Sequence, residues 1–209
     1  MKTFEEINKE KWDKNHESLA VDSYVTVGSY AELNPYHDFG TIFDSNLITD
    51  KTILDIGVGH GRLLEHFKSL GNRTIGCDIS EVAIDRVSKT CDGTYLSKDL
   101  ASIEPVDLAV CHLAIQHNHE AEVFRILNEV QLKPEGVFTF QFASLVPGKS
   151  TLSELIAQDI NKSMLYFYST EKMKSLVEES NKQLIKETGP HWFDEPFNFE
   201  WYIFKVKNK

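Results

Sequence analysis

A regular hydrophobic rhythm occupies the middle of the chain and breaks at both ends. Short apolar runs at 52–56, 73–78, 93–97, 106–111 and 137–142 are too short for helices and read as buried strands of a parallel sheet. Amphipathic stretches lie between them. The first runs from Gly61 to Ser69 and stops at Gly71, placed as a residue just past a helix end. The second is capped by Ser80 and continues to Ser88, with Glu81 and Asp85 in its first turns. The third spans 120–131, with Val123, Phe124, Leu127 and Val130 on one face, and Lys133-Pro134-Glu135-Gly136 reads as a turn before the fifth strand. Strands alternating with helices predict βαβ units, right-handed crossovers and a mainly parallel sheet.

The flanks follow other patterns. Residues 3–18 predict a helix, started by a capping box from Thr3 to Glu6 and carrying a weak apolar face of Phe4, Ile7 and Trp12. Residues 19–45 have no clean period and hold Tyr24, Tyr30, Tyr36, Phe39 and Phe43; a loop-rich lid with a short helix near 36–45 is expected. Residues 143–167 are too long for a connector and predict an insertion with a helix over 152–160. A helix from 169 to about 179 follows. Strands at 183–187 and 199–207, joined by the aromatic loop 189–198, close the chain. The expected organisation is one domain over 1–209: an N-terminal cap (1–50), a core (51–142), a cap insertion (143–168) and a C-terminal helix with strands (169–209).

Charge and cysteine content narrow the function classes. The net charge is −10 and no basic stripe is visible, which disfavours nucleic acid as a partner. Cys77, Cys91 and Cys111 show no metal-ligand spacing and read as free thiols of a reducing compartment. The N-terminus has no apolar leader, and no run reaches the ~20 apolar residues of a membrane span. A cytoplasmic protein without a membrane partner is expected.

The chemistry concentrates where the first strand meets the first regular helix, in Asp55-Ile56-Gly57-Val58-Gly59-His60-Gly61. A glycine loop between strand and helix is the nucleotide-binding corner of an open α/β sheet. A dinucleotide fingerprint needs Gly-x-Gly-x-x-Gly so that a pyrophosphate meets a helix N-terminus. Here the spacing is Gly-x-Gly-x-Gly, with Asp55 two residues ahead. That carboxylate would repel a pyrophosphate and suits an ammonium or sulfonium group.

These residues resemble the first motif of the class I S-adenosylmethionine-dependent methyltransferases, in register over about 50–142. The resemblance implies S-adenosyl-L-methionine as cofactor. It also implies a Rossmann-like, seven-stranded, mostly parallel α/β sheet of order 3-2-1-4-5-7-6 with strand 7 antiparallel and helices on both faces. By that resemblance Asp55, Gly57, Gly59 and Gly61 line the methionine part of the cofactor. Asp78 takes the ribose hydroxyls, Ile79 lies on the adenine, Asp99 meets the adenine amine and Leu100 offers a backbone N–H to the ring. Leu132-Lys133-Pro134-Glu135-Gly136 matches the family's turn before strand five. The segment 107–117 matches the family motif that faces the sulfonium and the acceptor.

Methyl transfer requires alignment of a nucleophile and, for a hydroxyl, removal of its proton. His112, Gln116, His117 and His119 cluster after the fourth strand, where an open α/β sheet binds ligands. His117 is the expected base, and His112 a cofactor or substrate contact. His119 reads as a surface residue at a helix start, His60 as a loop residue, and no metal is expected. Cys111-His112-Leu113-Ala114 replaces the Asn/Asp-Pro-Pro-aromatic run of amide and nucleobase N-methyltransferases. The acceptor side is assigned to Tyr24, Tyr30, Tyr36, Tyr166, Tyr168, His191 and Trp192. The expected activity is methylation of a small polar molecule, by O-methylation of a sugar or nucleotide-sugar hydroxyl. The alternatives are N-methylation of a small amine, a non-catalytic cofactor-binding module and a nicotinamide-dependent oxidoreductase. Oligomeric state is left open.

Overall fold

A computed structural model of the protein describes residues 3–18, 48–146, 166–190, 193–194 and 199–209. The expected lid helix near 36–45, the helix over 152–160, and Tyr24, Tyr30, Tyr36, Phe39, Phe43, His191 and Trp192 lie outside the described residues. The elements in chain order are α1 (Phe4–Ser18), β1 (Thr52–Ile56), α2 (Arg62–Ser69), β2 (Arg73–Asp78), α3 (Glu81–Val87), β3 (Gly93–Leu96), β4 (Val106–Cys111), α4 (Glu120–Glu129), β5 (Leu132–Leu145), α5 (Thr170–Glu179), β6 (Lys182–Thr188), β7 (Phe193–Asp194) and β8 (Phe199–Asn208). The strand order is β3-β2-β1-β4-β5-β8-β6, with the two-residue β7 paired to β8. With β7 set aside, β8 is the seventh strand, and the order is the expected 3-2-1-4-5-7-6. β8 runs antiparallel to both β5 and β6. The chain divides into two compact units, 1–106 and 107–209.

In the first unit β1 pairs with β2, and β2 with β3, in parallel. Ile53, Leu54, Ile75 and Cys77 are almost wholly buried, as expected of apolar positions in strands covered on both faces. Helix α2 buries Leu63, Leu64 and Phe67 against this sheet. It ends in two reversed hydrogen bonds, Gly71 N to Lys68 O at 3.0 Å and Asn72 N to Phe67 O at 3.3 Å. This is the paired arrangement that a left-handed residue just past a helix makes possible. Asn72 then donates to Phe67 O and Ile48 O and accepts from Lys51 N, joining the helix end to the start of β1.

In the second unit β5 and β8 form the longest ladder, from Phe138↔Val206 to Leu145↔Phe199. Phe138, Phe140, Phe142 and Phe204 are fully buried, and the Phe142 ring meets Phe204 edge-on at 4.9 Å. α5 is capped by the Ser169 hydroxyl and buries Met173, Leu176 and Val177.

Several elements depart from expectation. β5 runs without interruption from Leu132, so the Lys133–Gly136 stretch is strand, not turn. Lys133 there pairs with Asp107 at 2.6 Å. Helix α4 turns Ile126 inward with Val123 and Leu127, while Phe124 is only half-buried. α1 begins with the expected capping box, Thr3 and Glu6 exchanging hydrogen bonds of 2.7 and 3.2 Å. Of its expected apolar face, Trp12 is only half-buried. Ile7 is exposed, and the buried side chains are Asn8 and His16. Neighbouring polar partners on α3 and the glycine loop decide the facing, because an apolar stripe this weak supplies little burial.

Gly71 sits at φ +82 with open space where a Cβ would stand. Gly71→Ala is therefore expected to cost about 1 kcal/mol through backbone strain alone, measured as a lower urea midpoint with an unchanged m-value.

Candidate active site

The glycine loop forms because the chain must leave β1 and enter α2 within a few residues. Gly57, Gly59 and Gly61 all adopt positive φ, at +76, +52 and +82. Gly61 adds a steric demand: a Cβ there would lie 2.8 Å from Val87 Cγ1, so the loop can sit this close to α3 only without a side chain. Val58 points inward and packs with Leu64 and Val87. The loop backbone is fastened to β2 by Gly57 N and Val58 N, which both donate to Cys77 O, at 2.8 and 3.1 Å.

Two acids lie at the carboxyl ends of β1 and β2. Asp55 is 3% exposed, and Asp78 6%. Burial pushes the Asp55 carboxyl up to about 7; the Arg62 charge pulls it down, and the Asp78 charge pushes it further up. Burial also raises Asp78, against hydrogen bonds from the Ser80, Gly59 and Ile79 backbone. Asp78 Oδ2 accepts from Gly59 N at 3.0 Å and Oδ1 from Ser80 N at 2.9 Å. One carboxylate thus ties the glycine loop to the turn that opens α3. Ser80 Oγ in turn caps α3 by accepting from Ala83 N.

The third acid is placed differently. Asp99 lies in a 3₁₀ turn, Ser97–Ser102, that follows β3, and is exposed. Leu100 beside it is fully buried, and Ile79 is half-buried next to Asp78.

Three residues of this unit escaped the sequence reading. Asp13 Oδ1 accepts from Ser80 Oγ at 2.6 Å. His16 packs edge-on against His60, ring centroids 5.3 Å apart, and its Cε1 lies 3.6 Å from where a Cβ on Gly59 would stand. Arg86 donates to the His16 carbonyl at 3.2 Å and pairs with the His60 ring. His60 is therefore a packed loop residue rather than a loose one. Burial, then the nearby Arg86, His16 and Arg62 charges, push it down to about 4. The available signal was the i, i+4 and i, i+8 placement of Lys9 with Asp13 and of Asn8 with His16, which sets polar groups along one side of α1.

The histidine loop belongs to the second unit. His112 directly follows β4 and is buried. Leu113 takes a left-handed conformation, φ +57, which is uncommon for a bulky side chain and gathers at sites that carry function. Ile115–His117 form a 3₁₀ turn. The Gln116 Nε2 lies 3.4 Å from His117 Nε2. Gln116 Oε1 is buried without a hydrogen-bond partner among the described residues. His117 is half-buried. His119 is the N-cap of α4, its ring accepting from Glu122 N at 3.4 Å. Tyr166 N donates to Gln116 O at 2.6 Å, and Tyr168 Oη donates to Asn118 O at 2.6 Å. The two tyrosines assigned to the acceptor side thus hold the loop after β4 from outside. Among the described residues no group of His, Cys, Asp and Glu is arranged to hold a metal ion, and no helix is long and apolar enough to cross a membrane.

Residues 53–136 match the family model described as a methyltransferase domain. That segment is similar to the S-adenosylmethionine-dependent methyltransferases. The matched segment contains the glycine loop, all three acids and the histidine loop. Among solved structures, the methyltransferase fold is shared with geranyl diphosphate C-methyltransferase from Streptomyces coelicolor A3(2), solved with Mg2+, geranyl diphosphate and S-adenosyl-L-homocysteine. That likeness has 12% identity and a TM-score of 0.66, over 97% of this chain and 98% of that one. A methyltransferase from Geobacter sulfurreducens in complex with S-adenosyl-L-homocysteine is similar at 12% identity and a TM-score of 0.59, over 93% and 96%. The pyocyanin biosynthetic protein PhzM is similar at 15% identity and a TM-score of 0.59, over 86% of this chain but 56% of that one. No curated protein sequence matches the chain.

The raised Asp55 carboxyl carries a stability consequence. Its folded value of about 7 lies above the ordinary carboxylate value. Its stabilising contribution is then complete below about pH 4 and is lost as pH rises through 7, with an upper limit of about 4 kcal/mol. Asp55→Asn without cofactor is expected to melt higher than the parent protein at pH 8, the difference shrinking towards pH 4. Thermal melts across that range check it.

Proposed function

We propose that this methyltransferase transfers a methyl group from S-adenosyl-L-methionine to a hydroxyl of a small polar molecule of the sugar or nucleotide-sugar class. The observation that carries the proposal is the pair of buried acids, Asp55 and Asp78, set on either side of a glycine loop. Two carboxylates suit a ligand bearing a cation and a vicinal diol and oppose a pyrophosphate.

The positively charged sulfur of the bound cofactor activates its methyl carbon for in-line displacement. The protein's own part is grip and alignment. The backbone at Gly57, Gly59 and Gly61 leaves room for the methionine portion beside Asp55. Asp78 accepts from the ribose hydroxyls while retaining Gly59 N and Ser80 N as partners; each carboxylate oxygen has a second lone pair for the purpose. Ile79 covers an adenine face, Asp99 accepts from its exocyclic amine, and the Leu100 N–H donates to the ring.

His117 is the group we assign to the acceptor's proton. It would take that proton from the hydroxyl as the oxygen–carbon bond forms and the methyl carbon's bond to sulfur breaks, leaving a neutral thioether, and the imidazolium would then release the proton to water. Half-burial leaves its ring reachable, and the Gln116 carboxamide beside it orients the ring. His112, at the end of β4, serves as a cofactor or acceptor contact. The net charge of −10 supports an acceptor other than nucleic acid.

Two variants separate the roles. Asp78→Ala is expected to weaken S-adenosylhomocysteine binding tenfold or more in calorimetry, since charged-group hydrogen bonds to the ribose are lost. His117→Ala is expected to leave that binding unchanged and to lower kcat by roughly 10²-fold or more on a sugar acceptor, as loss of a general base does. Unaltered turnover by His117→Ala would remove the base assignment.

A further inference from the structure

Among its described side chains, helix α1 meets α3 through polar contacts. Of its described side chains the two that are buried, Asn8 at 3% and His16 at 2% exposure, are polar, and Ile7 stands 47% exposed. Lys9 bonds Asp13 at 2.7 Å and lies 3.4 Å from Glu81 of α3. Asp13 reaches Ser80 at 2.6 Å, and the His16 carbonyl accepts from Arg86. Surface ion pairs contribute little, and most helix stability comes from apolar burial. A helix held in this way belongs to the part of a fold that opens at low cost.

Its position is the second observation. The Asp13 contact falls on Ser80, whose own backbone N–H is bound by Asp78. Asp78 also holds Gly59, and His16 stands over that same glycine. An unbroken hydrogen-bond chain therefore runs from α1 to the glycine loop: Asp13, Ser80, Asp78, Gly59. Burial pushes the Asp13 carboxyl up, but hydrogen bonds from Lys9 and Ser80 outweigh it and hold the group below its ordinary value. It remains an anionic acceptor at neutral pH.

We propose that α1 is a lid on the cofactor corner, with Asp13 as its latch: a positioning residue that acts through Ser80 on Asp78 and keeps the cofactor from leaving. The proposal rests on the reading of Asp78 as the cofactor's ribose acid. A latch of this kind slows dissociation without touching the transferred methyl group. It also explains why an acid and an imidazole face inward from a helix that buries no described apolar side chain.

The test uses the full chain and S-adenosylhomocysteine. Dissociation rates are read by stopped-flow fluorescence, with Trp12 on α1 as a reporter beside His16. Asp13→Ala is expected to raise the dissociation rate about tenfold. Asp13→Asn, which keeps an acceptor oxygen for the Ser80 hydroxyl, should stay within about threefold of the parent. In the unaltered protein, amide exchange in residues 4–18 should be faster than in β1 and β2, and should slow on addition of S-adenosylhomocysteine. Parent-like dissociation from Asp13→Ala, or α1 exchange indifferent to ligand, would overturn the lid while Asp78→Ala still weakens binding tenfold or more. Undiminished binding by Asp78→Ala would overturn the corner reading itself. The exchange experiment needs no substitution, so a poorly folding variant does not remove the test.

Discussion

The first unit depends on one buried carboxylate. Asp78 closes β2, and its two oxygens hold Gly59 N and Ser80 N. Those bonds bring the exit of β1 and the entry of α3 to one point. A buried acid without such partners would be costly, since desolvation penalises the charge. With them, the same residue becomes the hinge on which the glycine loop, the cap of α3 and the contact with α1 are arranged. Site and fold are therefore not separable here: the group that would grip a ribose also keeps the loop in place.

Asp55 shows the opposite economy. It is buried at the end of β1 and raised to about 7, so the unliganded corner tolerates it mostly by letting it take a proton near neutrality. A cation bound beside it reverses that. Under the proposed reading the corner would therefore suit a positively charged ligand, perturbed acids being common at functional sites. The second unit follows another logic. Its Phe-rich β5–β8 ladder supplies apolar burial, and His112, Gln116 and His117 lie on the loop after β4, with Tyr166 and Tyr168 bonded to that loop's carbonyl groups.

Much of this was legible beforehand where a pattern has a single local cause. Residues 52–56, 73–78 and 106–111 are strands because their apolar runs allow nothing else of that length. Gly71 ends α2 because only a residue at ease with positive φ completes the bonds to Phe67 and Lys68. The strand order followed from the resemblance rather than from the periodicity. Lys133–Gly136 misled because Pro and Gly signal a turn locally, whereas β5 extends through them into its long pairing element. Phe124 and Ile126 exchanged places because helix facing is decided by the neighbour, not by hydrophobicity alone.

By itself the sequence determined the α/β class, most strand and helix positions of the core, and a corner of glycines and acids between β1 and α2. These rest on local spacing: one side chain per strand position, a left-handed turn where glycine stands, an acid at a strand end. Only the tertiary structure decided that Asp78 ties two loops together, that Asp55 is pushed towards neutrality and that Asp13 and His16 join the corner from α1. The reason is physical. Burial and hydrogen-bond partners are set by residues far apart in the chain, 67 positions in the case of Asp13 and Ser80, and no local pattern carries them.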